Sequence, residues 1–176
     1  VMNLPVDGDL PAGRRKWLRF SDLAEDEKDE CLKACAELTS SIYFGLDLDR
    51  EIRAVDQQNL GDTVLTWDSG NLAGFAVCHV GQATEAGSGK CYIKFGAVRS
   101  GHDAAKQFRH LLDACREFAL VSGANTLVAG VNLARTDAYR EMLQAGFRAG
   151  MQGLAMERNG DAGYNRNDVF VMDDWR

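Results

Sequence analysis

The sequence has no long apolar run and no secretory signal. None of its apolar stretches approaches the ~18–20 residues of a membrane-spanning helix, and its first residues do not form a signal peptide. It also lacks an excess of basic residues, since 26 acidic and 20 basic residues give a net charge of −6. A nucleic-acid-binding surface needs basic side chains to meet phosphates. We therefore expect neither a membrane nor a nucleic acid as a partner.

The five cysteines are odd in number, so they do not all fall into disulfide pairs. Each of the five cysteines lies within an apolar helix or strand pattern, as reduced and buried thiols do, and this predicts a cytoplasmic protein. Cys31 and Cys35 lie four residues apart on a predicted helix, and a zinc site there is the less favoured alternative, because no histidine is near in sequence. We predict no metal site.

Proline is confined to one end of the chain. Pro5 and Pro11 fall with Gly8 and Gly13 in a stretch that breaks helices and strands alike, so residues 1–15 are predicted to be a linker or tail. Residues 16–176 are long enough for one domain with its own core. Because the first residue is Val, the chain is interpreted as trimmed or as the later part of a longer protein.

The most informative stretch runs from Cys91 to Phe147. Residues 91–98 are rich in β-branched and aromatic side chains and predict a strand. Apolar residues then recur at helical spacing until Gly123, which suits a C-terminal cap. Residues 126–131 predict a second strand, so the stretch is a βαβ unit with parallel, neighbouring strands.

Further strands are predicted at 16–20, 63–67, 72–80, 147–156 and 168–172. Helices are predicted after residue 21 and near 50–59. Together these elements indicate an α/β (α+β) fold, with a mixed, mostly antiparallel sheet of six to seven strands and helices on both faces.

The turn between the strand and the long helix presents unpaired N–H groups and a partial positive charge. That geometry suits a phosphate, although every βαβ unit has such a turn. This part of the chain resembles the GNAT superfamily of acyl-CoA-dependent N-acyltransferases, with divergent motifs. The resemblance lies in the order strand, phosphate turn, helix and strand, followed by Asn132 and a helix ending in Ala145-Gly146-Phe147. The resemblance implies that an acetyl group passes from acetyl-CoA directly to an amine of a small molecule or peptide, and it leaves a homodimer open.

The resemblance also places the cofactor. The family pattern Gln/Arg-x-x-Gly-x-Gly/Ala matches at Arg99 and Ala104, but His102 stands at a Gly position and Gly101 lies one place early. A bulge in the preceding strand would splay the two parallel strands, and Gly96 would allow close approach unless it is an ordinary strand glycine. The implied cofactor-binding residues are Phe95, Gly96, Ala97, Val98, Arg99, Gly101, His102, Asp103, Ala104, Ala105 and Asn132.

The catalytic residues are less well defined. Where the family often has a tyrosine as proton donor, this chain has Met142, and Tyr139 lies on nearly the same helix face. Tyr139 is thus the candidate general acid, with a packing role as the alternative. His79 is the candidate base because its ordinary pKa suits proton transfer, with a buried structural histidine as the alternative. Glu141, Asp173, Asp174 or a water chain are further options. Cys91 as a nucleophile is disfavoured against a buried thiol.

In the resembled family, the loop between the first two helices borders the acceptor pocket. Tyr43, Phe44 and Asp47 are therefore candidate substrate-binding residues, although a packed helix-helix corner is the favoured alternative. His102 and Met142 at two functional positions motivate a second hypothesis. It describes a catalytically inactive GNAT-like module with an acyl-CoA-binding or structural role, or half of a tandem protein.

Overall fold

The computed structural model describes residues 1–8, 16–154 and 163–173. In these ranges the chain forms eight strands and four α-helices. The strands are β1 (Met2–Pro5), β2 (Trp17–Arg19), β3 (Gly61–Asp68), β4 (Asn71–Gly81), β5 (Gly87–Val98), β6 (Thr126–Ala129), β7 (Arg148–Ala149) and β8 (Val171–Asp173). The helices are α1 (Glu25–Ile42), α2 (Asp49–Gln57), α3 (Ala104–Val121) and α4 (Thr136–Gln144).

The described strands form one sheet in the order β2-β3-β4-β5-β6-β1-β7, with β8 paired to β5 off this path. β5 and β6 are parallel, as predicted, and the other described pairings are antiparallel. The expected fold class, mixed and mostly antiparallel with helices on both faces, is confirmed. The sheet has eight strands where six to seven were expected. None of the four described helices combines the length and apolar character that crossing a bilayer requires.

Part of the expected linker at residues 1–15 is a strand. Met2–Pro5 form β1, which pairs with β6 on one side and β7 on the other. Met2 and Val6 are buried in the core under α3. Pro5 is tolerated because it lies at the end of the strand, where a missing N–H costs little. Residues 9–15 lie outside the described part of the chain.

The strand predicted at 147–156 is shorter in the structure. Only Arg148–Ala149 form β7, and they pair with Met2 and Asn3 of β1. Residues 150–154 are not in a strand, and residues 155–156 lie outside the described part of the chain.

Each face of the sheet buries its own apolar core. The stripe of α3, including Phe108, Leu111 and Cys115, packs with α4 against one face. The corresponding faces of α1 and α2 pack against the other, where Leu38, Ile52 and Phe75 are fully buried. Gly123 has φ +73 just beyond α3, so its predicted role in ending that helix is confirmed.

β5 changes partner along its length. Lys90–Ile93 pair with β6, and the register against β4 then jumps from Cys78 opposite Ile93 to Val77 opposite Phe95. Lys94 is the extra residue of this bulge, and a bulge bends its strand away from a straight course. Beyond Lys94 the strands β5 and β6 are no longer paired. We call the space between Phe95–Val98 and the end of β6 the fork.

All five cysteines are buried and free. A hydrogen bond with Cys115, together with burial, raises the pKa of Cys78. A hydrogen bond with Cys78, together with burial, raises the pKa of Cys91. Within the described ranges, no three His, Cys, Asp or Glu side chains come together as a metal site.

The buried thiols give a first prediction. Ellman's reagent is expected to leave Cys78, Cys91 and Cys115 unlabelled in the folded protein over several minutes, since reaction needs an accessible thiolate. In guanidinium at a concentration that unfolds the chain, all five thiols should react, and that reaction is the internal control. Rapid labelling of Cys91 in the folded protein would contradict its burial and would revive it as a nucleophile.

Candidate functional site

The bend between β5 and α3 is open to solvent. The His102 side chain is 100% exposed and lies 3.5 Å from the Asp103 carboxylate, which is also exposed. The backbone is fixed on either side: the Arg99 N–H donates to the Ala73 carbonyl at 2.8 Å, and the Ala104 N–H donates to the Gly101 carbonyl. The bend is therefore not blocked by its own side chains, but it carries Asp103 where a phosphate would lie.

The fork, by contrast, is filled by β8. Phe95, Gly96 and Ala97 pair with Asp173, Met172 and Val171. The Asp173 N–H donates to the carbonyl of Gly130, just past β6, and the Val98 N–H donates to the Phe170 carbonyl. β8 thus connects the two sides of the fork, in the place where the resemblance puts a pantetheine arm.

The backbone that the resemblance assigns to pantetheine binding is accordingly paired with other strands. Phe95, Gly96 and Ala97 pair with β4 on one side and with β8 on the other. The glycine at 96 serves this packing, because a Cβ there would lie 2.8 Å from Met172 Cε and 3.3 Å from Ala76 Cβ. With β8 in place, Phe95–Ala97 have a strand partner on each side.

A buried ion pair holds β8 in place. Arg135, which is only 2% exposed, donates from its two terminal nitrogens to the two Asp173 carboxylate oxygens, each at 2.9 Å. The same guanidinium donates to the Val171 carbonyl and to Asn165 Oδ1. The Tyr164 hydroxyl donates to Asp173 at 2.7 Å, and its ring centroid lies 4.8 Å from the guanidinium carbon. We call Arg135, Asp173, Tyr164 and Asn165 the latch.

The candidate acid and base lie on opposite faces of the sheet. Tyr139, on α4, packs half-buried against the core under α3 and α4. The His79 ring faces α2 instead, with Nε2 3.4 Å from Glu51 Oε1, and it meets the Tyr92 ring at a centroid distance of 6.3 Å. Neither ring nitrogen of His79 has a hydrogen-bond partner among the described residues. The structure therefore does not bring the Tyr139 and His79 side chains together.

The other base candidates are also engaged or not described. The Glu141 carboxylate accepts from Arg109 at 2.7 Å, and Asp173 belongs to the latch. Asp174 lies outside the described residues. The Asn132 side chain accepts from the Ala134 N–H at 2.9 Å, which shapes the turn before α4.

The three candidate substrate residues lie around the end of α1. Tyr43 follows the last residue of α1, and its ring meets the latch residue Tyr164 at 5.9 Å. Phe44 is 93% exposed. Asp47 accepts from the Asp49 N–H at 2.9 Å, at the start of α2. Tyr43 therefore has a packing partner, whereas Phe44 points to solvent.

A polar cleft of about 470 Å³ opens beside the bend. Glu37 of α1 and Gln107 of α3 line it from two sides, and Asp68, Ser69 and Asn71 line it from the β3–β4 turn. Arg99 completes the lining with the adjacent residues Leu72 and Ala73. We call this opening the Arg99 cleft. It contains one residue of the predicted cofactor turn, together with residues that the sequence did not single out.

No family model matches the sequence, and a comparison with curated proteins finds no match. Among solved structures, the chain is similar to TTHA1254 from Thermus thermophilus, at 21% identity over 76% of this chain and 94% of that one. The TM-score is 0.55 for a single-residue variant of that protein and 0.51 for the wild type. At this identity the likeness shows the fold alone.

Proposed function

We propose that this chain is a GNAT-like module that neither binds acyl-CoA nor transfers its acyl group, and that acts as a structural domain or as a binding domain for another ligand. One observation carries the proposal: β8 occupies the fork and pairs with the backbone that would otherwise hold a pantetheine arm. Acyl transfer from a thioester also needs an acid and a base near one substrate. Tyr139 and His79 lie on opposite faces of the sheet instead.

The free energy of burying residues 169–172 favours a structure in which β8 stays in the fork. Val169, Phe170, Val171 and Met172 are all buried. Exposing four such side chains costs roughly 6–12 kcal/mol, whereas micromolar binding of a cofactor supplies about 8 kcal/mol. A cofactor that binds only the open form has its apparent affinity reduced by the fraction of molecules that are open. Displacing β8 would therefore consume most or all of the free energy that acetyl-CoA could supply.

A thermal-shift titration tests the proposal. If acetyl-CoA bound with a Kd of about 10 µM, about 1 mM of it would stabilise the folded state by about 2.7 kcal/mol. For a domain of this length that amounts to a rise in Tm of several degrees, at about 2–4 °C per kcal/mol. We expect a change below about 0.5 °C, and a reproducible rise of several degrees would contradict the proposal.

Acetyl transfer from acetyl-CoA to an amine of a small molecule or peptide is the second candidate function. The bulge at Lys94 and the open bend after β5 favour it. Under this alternative, acetyl-CoA raises the Tm, and thiol release across a panel of amines falls in Tyr139→Phe. If the Tm rises without thiol release, the chain binds the cofactor but does not transfer the acetyl group.

A further inference from the structure

We infer that the Arg99 cleft binds a basic α-amino acid, with its carboxylate on Arg99 and its ammonium groups on Glu37 and Asp68. This inference rests on the proposed function, because it assigns a ligand class to the binding module. The fork is filled, so a small molecule must be held elsewhere. The Arg99 cleft lies where both helical layers meet the end of the sheet, since Glu37 of α1 and Gln107 of α3 both line it.

The walls of the cleft are fixed by regular structure. The Arg99 backbone is tied to Ala73 at 2.8 Å, which anchors the end of β5 to β4. The β3–β4 turn on the opposite side has Ser69 at φ 50 and Gly70 at φ 83, the two positive angles of a tight hairpin turn. A site built on strands and helices holds its groups in place before a ligand arrives, which reduces the entropy lost on binding.

The charged side chains of the cleft form no ion pair within residues 1–8, 16–154 and 163–173. This holds for Arg99, Glu37 and Asp68. Elsewhere, some charged side chains are paired, as Lys28 is with Asp56 and Lys94 is with Glu85. Arg99 is half-buried, and its Nε donates weakly to the Leu72 carbonyl at 3.4 Å. The Asp68 carboxylate accepts from the neighbouring Ser69 hydroxyl at 3.3 Å. One guanidinium and two carboxylates thus remain available around one opening.

The one positive and two negative side chains of the cleft indicate which class of ligand fits it. A phosphate or a dicarboxylate would pair with Arg99 but would be repelled by Glu37 and Asp68. A simple diamine would satisfy the two acids and leave Arg99 unpaired. An α-amino acid with a second ammonium group on its side chain satisfies all three charges, and the planar guanidinium suits a bidentate carboxylate. Lysine and ornithine fit this description, and their volumes are well below that of the cleft.

Titration of the full chain with L-lysine, followed by amide chemical shifts in NMR, tests the inference. We expect a Kd on the order of 1 mM, because the site is open to water and its ion pairs are partly screened. Cadaverine, which lacks the carboxylate, and L-norleucine, which lacks the side-chain ammonium, should each bind at least about fivefold more weakly. The shifted amides should lie at 68–73, 99 and 107.

Variants supply the controls. Arg99→Met should weaken lysine binding at least about fivefold and leave cadaverine binding unchanged, whereas Glu37→Gln should weaken both. Arg50→Met and Glu30→Gln, at exposed helix positions away from the cleft, should change neither. The inference is overturned if the folded protein binds no lysine up to about 20 mM, well above the expected Kd, or if cadaverine binds as well as lysine. A Tm rise with acetyl-CoA would instead overturn the proposed module and leave the lysine result as it stands.

Discussion

Replacing Asp173 by alanine is expected to lower the free energy of unfolding by about 3–5 kcal/mol. The Arg135 guanidinium is buried, and Asp173 supplies its only carboxylate among the described residues. Without Asp173, the neutral oxygens of Asn165 and Val171 and the face of the Tyr164 ring are what the described residues still offer to the buried positive charge. Breaking one half of a buried ion pair is costly because the remaining charge is left without compensation. Equilibrium urea unfolding measures the loss.

An exposed ion pair provides the matched control. Arg140 and Asp137 lie 3.3 Å apart on the surface of α4, and Asp137→Ala should cost less than about 1 kcal/mol. The double variant Arg135→Met with Asp173→Ala should recover part of the loss, because it removes both charges. A loss below about 1 kcal/mol for Asp173→Ala would mean that the latch does not hold β8.

Met172→Ala is expected to destabilise the protein by about 2–5 kcal/mol, because it removes a fully buried side chain and leaves a cavity in the fork. Met151→Ala is the same chemical change at a position that is 62% exposed, and it should cost less than about 0.5 kcal/mol. Urea unfolding of the two variants under identical conditions provides the comparison. Equal effects at the two positions would show that β8 is not part of the core.

A double-mutant cycle tests the position of β8 more sharply. Gly96→Ala alone should cost about 1–3 kcal/mol, because the new Cβ would lie 2.8 Å from Met172 Cε. In the Met172→Ala background that contact no longer exists, so the same substitution should cost less. We expect a coupling energy of about 0.5–3 kcal/mol. Additive effects would contradict the packing of Met172 on Gly96.

The central βαβ unit could be predicted from sequence because its signals are local. The apolar stripe of α3, the cap at Gly123 and the strand patterns on either side depend on neighbours within a few residues. β1 could not be predicted in this way, because Met2–Pro5 become a strand only through pairing with β6 and β7. The prolines and glycines in and after it indicated a linker, and tertiary pairing outweighed that local preference.

The site was less predictable, for the same reason. The segment at 168–172 has the pattern of a strand, but nothing in it specifies β5 as its partner. Arg135 and Asp173 are 38 residues apart and match no motif. The sequence pattern did place Arg99, Gly101 and His102 on one bend, and the family resemblance implied the bulge that lies in the strand before it. It could not reveal that a later segment of the same chain lies between the two parallel strands.

The position of β8 has a consequence for how the protein is made. β5 lies near the middle of the sheet. Its residue Phe95 pairs with Asp173, which is synthesised 78 residues later. Until that segment leaves the ribosome, Phe95–Ala97 present an unpaired strand edge with the apolar side chains of Phe95 and Ala97 on one face, which is a template for aggregation. Nascent chains halted before Phe170 should therefore depend on chaperones, whereas chains released after Asp173 should not.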